Sequence, residues 1–344
     1  MQAYIKENDM QQRNLRNLTV SAIGLGCMGF SHGYGATPTE EESIRLIRKA
    51  YDDFGCTLFD TAEVYANYEN EILVGKALRP IRDKVILCTK FMPEKFLPGQ
   101  EIPEGKTSRR GLRNALEASL KRLQTDYVDL YYEHRVPQGK DVGEVAEWMG
   151  ELISEGKIRA WGVSEATPAQ IRRAHTVTPL SAVQSEYSLM ERRVEAEVLP
   201  LCKELSIGFV AYSPMASGFL SGKYSSADTF TGDDVRRVIT RFDKKNIDAN
   251  QPLLDLLHAY AKDKGATPAQ ISLAWMLHKY DNIVPIPGMR RDERMTENFG
   301  AVDVTLTDTE MQKLEEELSH IAIHGDRKDS DIQKLGTVET VATH

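Results

Sequence analysis

The fold is decided by residues 56–91, which read CTLFDTAEVYANYENEILVGKALRPIRDKVILCTKF. Two short apolar runs, 56–59 and 84–89, stand on either side of an amphipathic segment at 69–79. Short buried runs separated by a helical pattern are typical of parallel strands joined by a crossover helix. The stretch therefore predicts a strand–helix–strand unit with parallel strands.

The same alternation continues along the chain. Strands are predicted at 22–27, 56–59, 84–89, 127–132, 158–163, 182–184, 208–212 and 282–285, and helices at about 40–54, 69–79, 108–123, 141–155, 168–176, 193–205, 250–264 and 291–300. Eight such units predict an α/β fold, a single (β/α)8 barrel of the TIM type, with a doubly wound open sheet as the alternative. We expect an N-terminal extension at 1–16, the barrel at 17–310, and a C-terminal helix and tail at 311–344.

Composition excludes several classes of protein. The 344 residues are 41% hydrophobic and 27% charged, with a net charge of −8 and no basic stripe, which argues against nucleic acid as a partner. No apolar run is long enough to span a membrane, and residues 1–16 show no signal peptide. The four cysteines form no C-x-x-C pair, which is typical of reduced thiols, so we expect a cytoplasmic protein. Its oligomeric state stays open.

Polar side chains follow the second, third and fourth predicted strands. They are Asp60 and Tyr65, Lys90, and His134. Because the carboxyl ends of barrel strands meet on one rim, we expect these side chains to converge, with the long loops 93–107 and 225–250 at the same face. Reduction of a carbonyl requires a proton donor, and an ammonium group beside a tyrosine lowers its pKa towards the useful range. Lys90 would do this, with Asp60 as its counter-ion, while His134 holds the substrate oxygen.

Two other patterns suggest different functions. Gly24, Gly26 and Gly29 match the dinucleotide fingerprint of a Rossmann dehydrogenase, but residues 31–35 intervene before a helix begins. His320 and His324 have the spacing of zinc ligands, yet lack a third ligand, so we expect no metal. A metal-dependent barrel hydrolase is also disfavoured, because such enzymes use more histidines and aspartates at their strand ends.

Several ordered motifs resemble the aldo-keto reductase family from about residue 18 to residue 308. They include the Asp60–Tyr65 segment followed by Asn70-Glu71, then Thr89-Lys90 and Asp129–His134, and further along Gly162-Val163-Ser164, Gln184–Ser188, Tyr212–Met215 and Ile286-Pro287-Gly288. The segments 25–35 and 164–189 are most similar to the branch described as auxin-induced-protein-like or perakine-reductase-like.

The resemblance implies an NADPH-dependent oxidoreductase that reduces aldehydes or ketones. Asp60, Tyr65, Lys90 and His134 match the catalytic tetrad, with Tyr65 as the general acid. The residues that would bind NADPH or NADP+ are Ser164, Glu165, Gln184, Tyr212, Ser213, Pro214, Met215, Ser217, Gly218, Lys223, Gly288, Met289, Arg290, Arg294, Glu297 and Asn298. The substrate pocket would be lined by Met28, Val64, Met92 and Arg135, and Arg135 suggests polar or acidic carbonyl substrates.

Three positions depart from the family pattern. Ala66 stands where a glycine usually follows the tyrosine, Glu165 replaces an asparagine, and Gly288 replaces a lysine near the adenosine phosphate. Gly288 removes one positive charge near the adenosine phosphate, which weakens the basis for a preference for NADPH over NADH. Some proteins with this fold are NADPH-binding regulatory subunits of potassium channels, and slow or absent turnover would indicate that class.

Overall fold

Eight parallel strands form the centre of the computed structural model, which describes residues 10–93, 108–137 and 139–332. Each strand pairs with the next along the chain. The ring closes because Gly24 N donates to Pro285 O at 3.0 Å and Gly26 N donates to Pro287 O at 3.2 Å. The strands are β3 (Leu25–Gly26), β4 (Leu58–Asp60), β5 (Ile86–Phe91), β6 (Val128–Glu133), β7 (Ile158–Ser164), β8 (Ala182–Glu186), β9 (Gly208–Tyr212) and β10 (Ile283–Pro285).

The predicted (β/α)8 barrel is confirmed, and the closed ring excludes the open doubly wound sheet. Gly26 lies at the seam, where a Cβ atom would come within 2.7 Å of Ile286 O. Gly24 and Gly26 of the apparent dinucleotide fingerprint therefore allow the close approach of this segment to the end of β10, whereas Gly29 lies against Arg290. No helix begins directly after them, as a Rossmann pyrophosphate site would require.

Helices surround the barrel. They are α1 (Glu40–Asp52), α2 (Glu69–Leu78), α3 (Arg109–Leu123), α4 (Val142–Ser154), α5 (Pro168–Val177), α6 (Val198–Glu204), α7 (Lys244–Ala249), α8 (Gln251–Lys264), α9 (Pro268–Lys279), α10 (Asp292–Phe299), α11 (Asp308–Ser319) and α12 (Asp329–Ile332). Thr167 and Thr267 begin α5 and α9 with the same capping box, in which the threonine and a glutamine three residues later satisfy each other's backbone N–H groups. Within the described ranges, no helix has both the length and the apolar character needed to cross a bilayer.

The predicted list of helices needs two corrections, one helix that is missing and one that is interrupted. The predicted set lacks α9, which packs directly against the barrel with Ala269, Ile271 and Trp275 buried. A helix buried on most of its faces has little amphipathic periodicity, so the sequence pattern is weak. The predicted helix at 193–205 is interrupted: a short 3-10 turn precedes α6, because the ring of Pro200 would clash with a continuous α-helical turn before it.

A hairpin precedes the barrel and covers its amino-terminal end. It consists of β1 (Gln12–Leu15) and β2 (Leu18–Ser21), which pair antiparallel. Leu15 is fully buried and lies against Gly208 at the start of β9, where a Cβ atom would approach the Leu15 Cα to 2.6 Å. The sequence analysis does not predict this hairpin, and its turn lies at the proposed boundary between residues 16 and 17.

The interior of the barrel is filled by apolar side chains from the hairpin and the strands, including Leu18, Leu58, Leu130, Val210 and Val284. The amino-terminal end is thus closed, and the two cavities described below lie at the carboxyl ends of the strands. Residues 1–9 of the predicted extension, most of the loop 93–107 and residues 333–344 of the predicted tail lie outside the described residues.

Candidate active site

Two adjoining cavities lie at the carboxyl ends of the barrel strands. The larger has a volume of about 420 Å³ and the smaller about 160 Å³. Gly29, Tyr34, Ser213 and Gly288 line both, so the two cavities form one elongated cleft. The predicted residues that line the larger cavity are Met28, Asp60, Val64, Tyr65, Met92, His134, Arg135, Ser164, Gln184, Tyr212, Ser213 and Gly288.

Lys90 is the centre of the polar cluster in the larger cavity. It is fully buried, and its Nζ donates to Asp60 Oδ1, to Thr61 O at 2.7 Å and to Tyr65 OH at 3.4 Å. Gln184 Nε2 donates to the other Asp60 oxygen at 2.9 Å. The predicted convergence of Asp60, Tyr65 and Lys90 is therefore present, and the buried ammonium has both a counter-ion and further acceptors.

The charges set the protonation of this cluster. Desolvation raises the pKa of Tyr65, and the nearby Lys90 ammonium only partly opposes that rise. Burial disfavours the charged form of Lys90, but the interactions with Asp60 and Tyr65 together outweigh it, and the pKa of Lys90 is raised. The phenol is therefore protonated and the ammonium charged at neutral pH. The predicted lowering of the Tyr65 pKa is therefore wrong in its net direction, because burial raises this pKa by more than Lys90 lowers it.

His134 lies against the same tyrosine. The two ring centroids are 5.9 Å apart in an edge-to-face arrangement. Burial, reinforced by the positive charges of Arg135 and Lys90, holds the pKa of His134 well below its usual range. The imidazole is thus neutral, and it can donate a hydrogen bond to an oxygen in the cavity without carrying a charge.

The loop after Tyr65 has an unusual backbone. Ala66, Asn67 and Tyr68 all have positive φ angles, of 48°, 49° and 77°. Glycine adopts this region without strain, whereas alanine does not, so Ala66 carries a strain that the usual glycine would avoid. Fully buried Asn70 secures the end of this loop, because its Nδ2 donates to Cys27 O at 2.9 Å and its Oδ1 accepts from Thr61 Oγ1 at 2.5 Å.

The smaller cavity is lined by a polar loop and by arginines. Ser217 and Gly218 have positive φ angles of 57° and 94°, which curve the backbone after β9 around the cavity. The predicted residues that line this cavity are Ser213, Pro214, Met215, Ser217, Gly218, Gly288, Arg290, Arg294 and Asn298, and Arg291 lines it as well. Positive charges and a curved polar backbone suit an anionic group such as a phosphate.

The arginines of the smaller cavity have different partners. Arg290 donates to Tyr34 O and Ala36 O, each at 2.9 Å, and thereby ties the β3–α1 loop to the segment after β10. Arg294 pairs with Glu297 on the same helix. Arg291 is exposed, and no hydrogen bond of its side chain is found among the described residues. Arg291 is therefore the most available of these three guanidinium groups, and Arg294 would contact a ligand while paired with Glu297.

Four predicted cofactor residues line neither cavity. Glu165 accepts a hydrogen bond from Glu186 N at 2.8 Å, and Glu297 is held by Arg294. Met289 is fully buried in the hydrophobic core, and Lys223 is exposed. These four residues are close in sequence to residues that line the cleft, but they do not line it themselves.

Sequence reasoning missed several residues that line the larger cavity. They are His32 and Tyr34 from the β3–α1 loop, Asp233, Val235 and Arg237 from the loop after β9, and Arg327 and Ile332 from the C-terminal segment. Arg327 lies over the Tyr212 ring at 5.2 Å and donates to the Tyr212 hydroxyl at 3.2 Å. The sequence signal for the residues after β9 was the unusual length of that loop. Residue 327 had no such signal, because nothing local links it to a strand end.

Metal ligation has no basis in the described parts of the chain. No group of three or more histidine, cysteine, aspartate or glutamate side chains there could hold a metal ion. All four cysteines are buried and unbridged.

Comparisons with known proteins agree with this geometry. The model of the aldo/keto reductase family matches residues 22–318. A probable aldo-keto reductase 1 from Glycine max is 40% identical over 297 residues, covering 86% of this chain and 84% of the relative.

Two solved structures share the fold. A glycerol dehydrogenase from Gluconobacter oxydans superposes with a TM-score of 0.80 at 26% identity, covering 92% of this chain and 97% of that one. An aldo-keto reductase from Klebsiella pneumoniae in complex with NADPH has a TM-score of 0.69 at 28% identity, covering 89% and 95%. Since the family model spans most of the sequence and the curated relative covers it at high identity, the chain belongs to the aldo/keto reductase family.

Proposed function

We propose that this protein is an NADPH-dependent reductase that converts an aldehyde or ketone to an alcohol, with Tyr65 as the proton donor. The observation that carries the proposal is the contact of Tyr65 OH with the Lys90 ammonium at 3.4 Å, inside a cavity that a substrate can enter. The solved relative with NADPH and the family membership support the cofactor.

The cleft fits a dinucleotide. The aromatic ring of Tyr212 and the polar groups of Ser164 and Gln184 lie in the larger cavity, where a nicotinamide ring would be held. Arg291, Arg294 and Asn298 lie in the smaller cavity, where the adenosine end with its extra phosphate would be held. NADPH bound in this way supplies the hydride.

The residues of the larger cavity provide the proton. Desolvation keeps the proton on Tyr65 until a carbonyl oxygen beside its hydroxyl gains negative charge. The neutral imidazole of His134 donates a hydrogen bond to the same oxygen and so orients the carbonyl. When Tyr65 gives up its proton, the Lys90 ammonium stabilises the resulting phenolate, and Asp60 keeps that ammonium charged.

Oxidation of NADPH by a panel of aliphatic, aromatic and carboxylated aldehydes tests this function. The panel also tests whether Arg135, whose guanidinium donates to His134 O at 2.7 Å, favours acidic substrates. Tyr65→Phe keeps the ring and removes only the hydroxyl, so it should lower kcat by at least about 100-fold while NADPH binding stays near normal. A Tyr65→Phe variant with wild-type kcat would refute the mechanism. Tight NADPH binding without turnover of any carbonyl would refute the reductase function and favour a regulatory one.

A further inference from the structure

Arg327 comes from the C-terminal segment after α11, yet it reaches the larger cavity, and the mechanism above gives it no role. Its guanidinium carbon lies 5.2 Å from the centroid of the Tyr212 ring, within the range of a cation–π interaction. Its Nη1 donates to the Tyr212 hydroxyl oxygen at 3.2 Å, and both residues line the cavity. A residue from outside the barrel therefore contacts the aromatic ring beside which the proposed function places the nicotinamide.

The same guanidinium nitrogen also joins two neighbouring strand ends. Glu186 and Tyr212 are partners in the parallel pairing of β8 and β9. Arg327 Nη1 donates to Glu186 Oε2 at 3.4 Å, while Arg241 Nη1 donates to the other Glu186 oxygen at 2.7 Å. The side chains of Glu186 and Arg241 are both buried. The carboxylate is therefore fixed, and it holds the Arg327 guanidinium beside the Tyr212 hydroxyl.

The backbone before Arg327 is anchored as well. Asn250 is fully buried, and its side chain donates to His324 O and accepts from His324 N, each at 2.9 Å. Asp326 N donates to Thr240 Oγ1 at 2.8 Å, and the Thr240 hydroxyl donates to Asp326 O at 3.1 Å. These bonds tie the C-terminal segment to the loop after β9 and to the start of α8, so the guanidinium is placed before any ligand binds.

The contact with Arg327 restricts the Tyr212 ring. Burial raises the pKa of Tyr212 well above its usual range, although the charge of Arg327 opposes this, so the phenol stays protonated and its oxygen accepts from Arg327. Among the residues that the structure describes, this is the only hydrogen bond found for the Tyr212 hydroxyl. It fixes the direction in which the ring points, and the guanidinium over the ring restricts rotation of its plane. Both matter for a stacked partner, because an aromatic pair is favourable only in a restricted set of geometries.

We propose that Arg327 is a positioning residue of the cofactor site, which holds the Tyr212 ring in the orientation on which the nicotinamide of NADPH stacks. The inference rests on the proposed function, because that function places the nicotinamide at Tyr212. The C-terminal segment is then part of the cofactor site, although it lies outside the barrel. The adenosine end is independent of Arg327, because Arg294 and Asn298 line the smaller cavity whereas Arg327 lines the larger one.

Two ligands that share the adenosine end test the proposal. The fragment 2′,5′-ADP carries the adenosine with its extra phosphate but lacks the nicotinamide, so the ratio of its Kd to that of NADPH reports what the nicotinamide half contributes. Arg327→Met removes the guanidinium and should lower this ratio by about three- to tenfold, the size expected for the loss of one aromatic stack, while the Kd of 2′,5′-ADP stays near its wild-type value. Titration calorimetry measures both constants. Arg172→Met, at an exposed arginine of α5 that pairs with Glu204, is the matched control and should leave the ratio unchanged.

A second variant separates positioning from general support of the fold. Tyr212→Phe keeps the ring but removes the hydroxyl that accepts from Arg327, and it should lower the ratio to a similar extent. In the double variant Arg327→Met/Tyr212→Phe, the loss should be much smaller than the product of the two separate losses, because both replacements remove the same contact. Arg327→Lys keeps a cationic donor and should retain part of the ratio.

Other results would overturn the inference in different ways. If Arg327→Met keeps the wild-type ratio, or weakens the binding of both ligands equally, Arg327 does not position the nicotinamide and the proposal is refuted. If the separate losses multiply in the double variant, Arg327 does not act through the Tyr212 hydroxyl, and the proposal is again refuted. If Tyr212→Ala leaves the ratio unchanged, the nicotinamide does not lie on Tyr212, so the proposed placement of the cofactor fails and this inference fails with it.

Discussion

Removing the ammonium of Lys90 tests the physical basis of the proposed chemistry. Lys90→Met keeps a side chain of similar length, which suits a fully buried site, but removes the charge beside Tyr65. The Tyr65 proton would then leave behind a phenolate that has lost its hydrogen-bonded ammonium and keeps the weaker interaction with Arg135. We expect kcat for carbonyl reduction to fall, while the shape of the cavity changes little.

The distance sets the size of the effect. At the 3.4 Å between Lys90 Nζ and Tyr65 OH, Coulomb's law with an effective dielectric constant of about 20 gives roughly 5 kcal/mol for a full phenolate charge. If the transition state carries about half of that charge, the loss is roughly 2.5 kcal/mol. This corresponds to a fall in kcat of about 50- to 100-fold.

The same replacement has a cost for stability, which has to be separated from catalysis. Lys90→Met leaves the Asp60 carboxylate buried, with only Gln184 Nε2 as a side-chain donor, and an unpaired buried charge costs about 3–5 kcal/mol of folding free energy. The double variant Lys90→Met/Asp60→Asn removes both charges and should recover much of the lost melting temperature. Its kcat should stay low, because the cation is still absent.

The assay combines NADPH oxidation with one good aldehyde and thermal unfolding of each variant. The reasoning fails if the double variant melts near the wild-type temperature and also keeps wild-type kcat. In that case the Lys90 ammonium would be a structural group, and Tyr65 would need no cation for proton transfer.

Two further predictions concern the cofactor and pH. Arg294→Ala should weaken NADPH binding roughly tenfold or more relative to NADH binding, because one charge-assisted contact to the extra phosphate is lost. Arg290→Ala should weaken the binding of both cofactors, because Arg290 holds the β3–α1 loop in place. Fluorescence titration with both cofactors at one ionic strength measures this, and equal weakening by Arg294→Ala would contradict it. Burial raises the pKa of Glu133 to about 8. Ionisation of this buried carboxyl therefore lowers the free energy of unfolding. The loss is absent below the pKa of Glu133 in the unfolded state, grows as the pH rises, and is complete above its pKa in the folded state. Glu133→Gln should therefore stabilise the protein by about 3 kcal/mol at neutral pH and hardly at pH 4, as measured by denaturant unfolding, and an equal gain at both pH values would count against it.

The sequence pattern predicted the strand positions well because barrel strands are short and buried. The predicted strand at 208–212 coincides with β9, and that at 127–132 lies within one residue of β6. The helical periodicity was too weak to reveal α9, because that helix is buried on most of its faces. It also predicted a continuous helix before α6, where Pro200 interrupts the helix. The hairpin of β1 and β2 was not predicted, because two four-residue strands show too little periodicity to be detected.

The candidate site divides in the same way. Asp60, Tyr65, Lys90 and His134 were predictable because each lies at or shortly after the carboxyl end of a strand, and parallel strands bring these ends to one rim. The candidate cofactor residues Ser164, Gln184 and Tyr212 were predicted from the family resemblance, and the structure places all three at the larger cavity. His32, Asp233 and Arg327 were not, since they come from loops and from the C-terminal segment.

The amino-acid sequence by itself determined the barrel, the family, and the set of ionisable groups at the strand ends, because strand periodicity and chain order dictate which ends meet. Only the tertiary structure decided which groups share a desolvated cavity, and therefore that burial holds the proton on Tyr65 and keeps His134 neutral. The physical reason is that desolvation depends on everything packed around a group. For Tyr65 this includes the loop bearing His32, which lies more than thirty residues earlier in the chain.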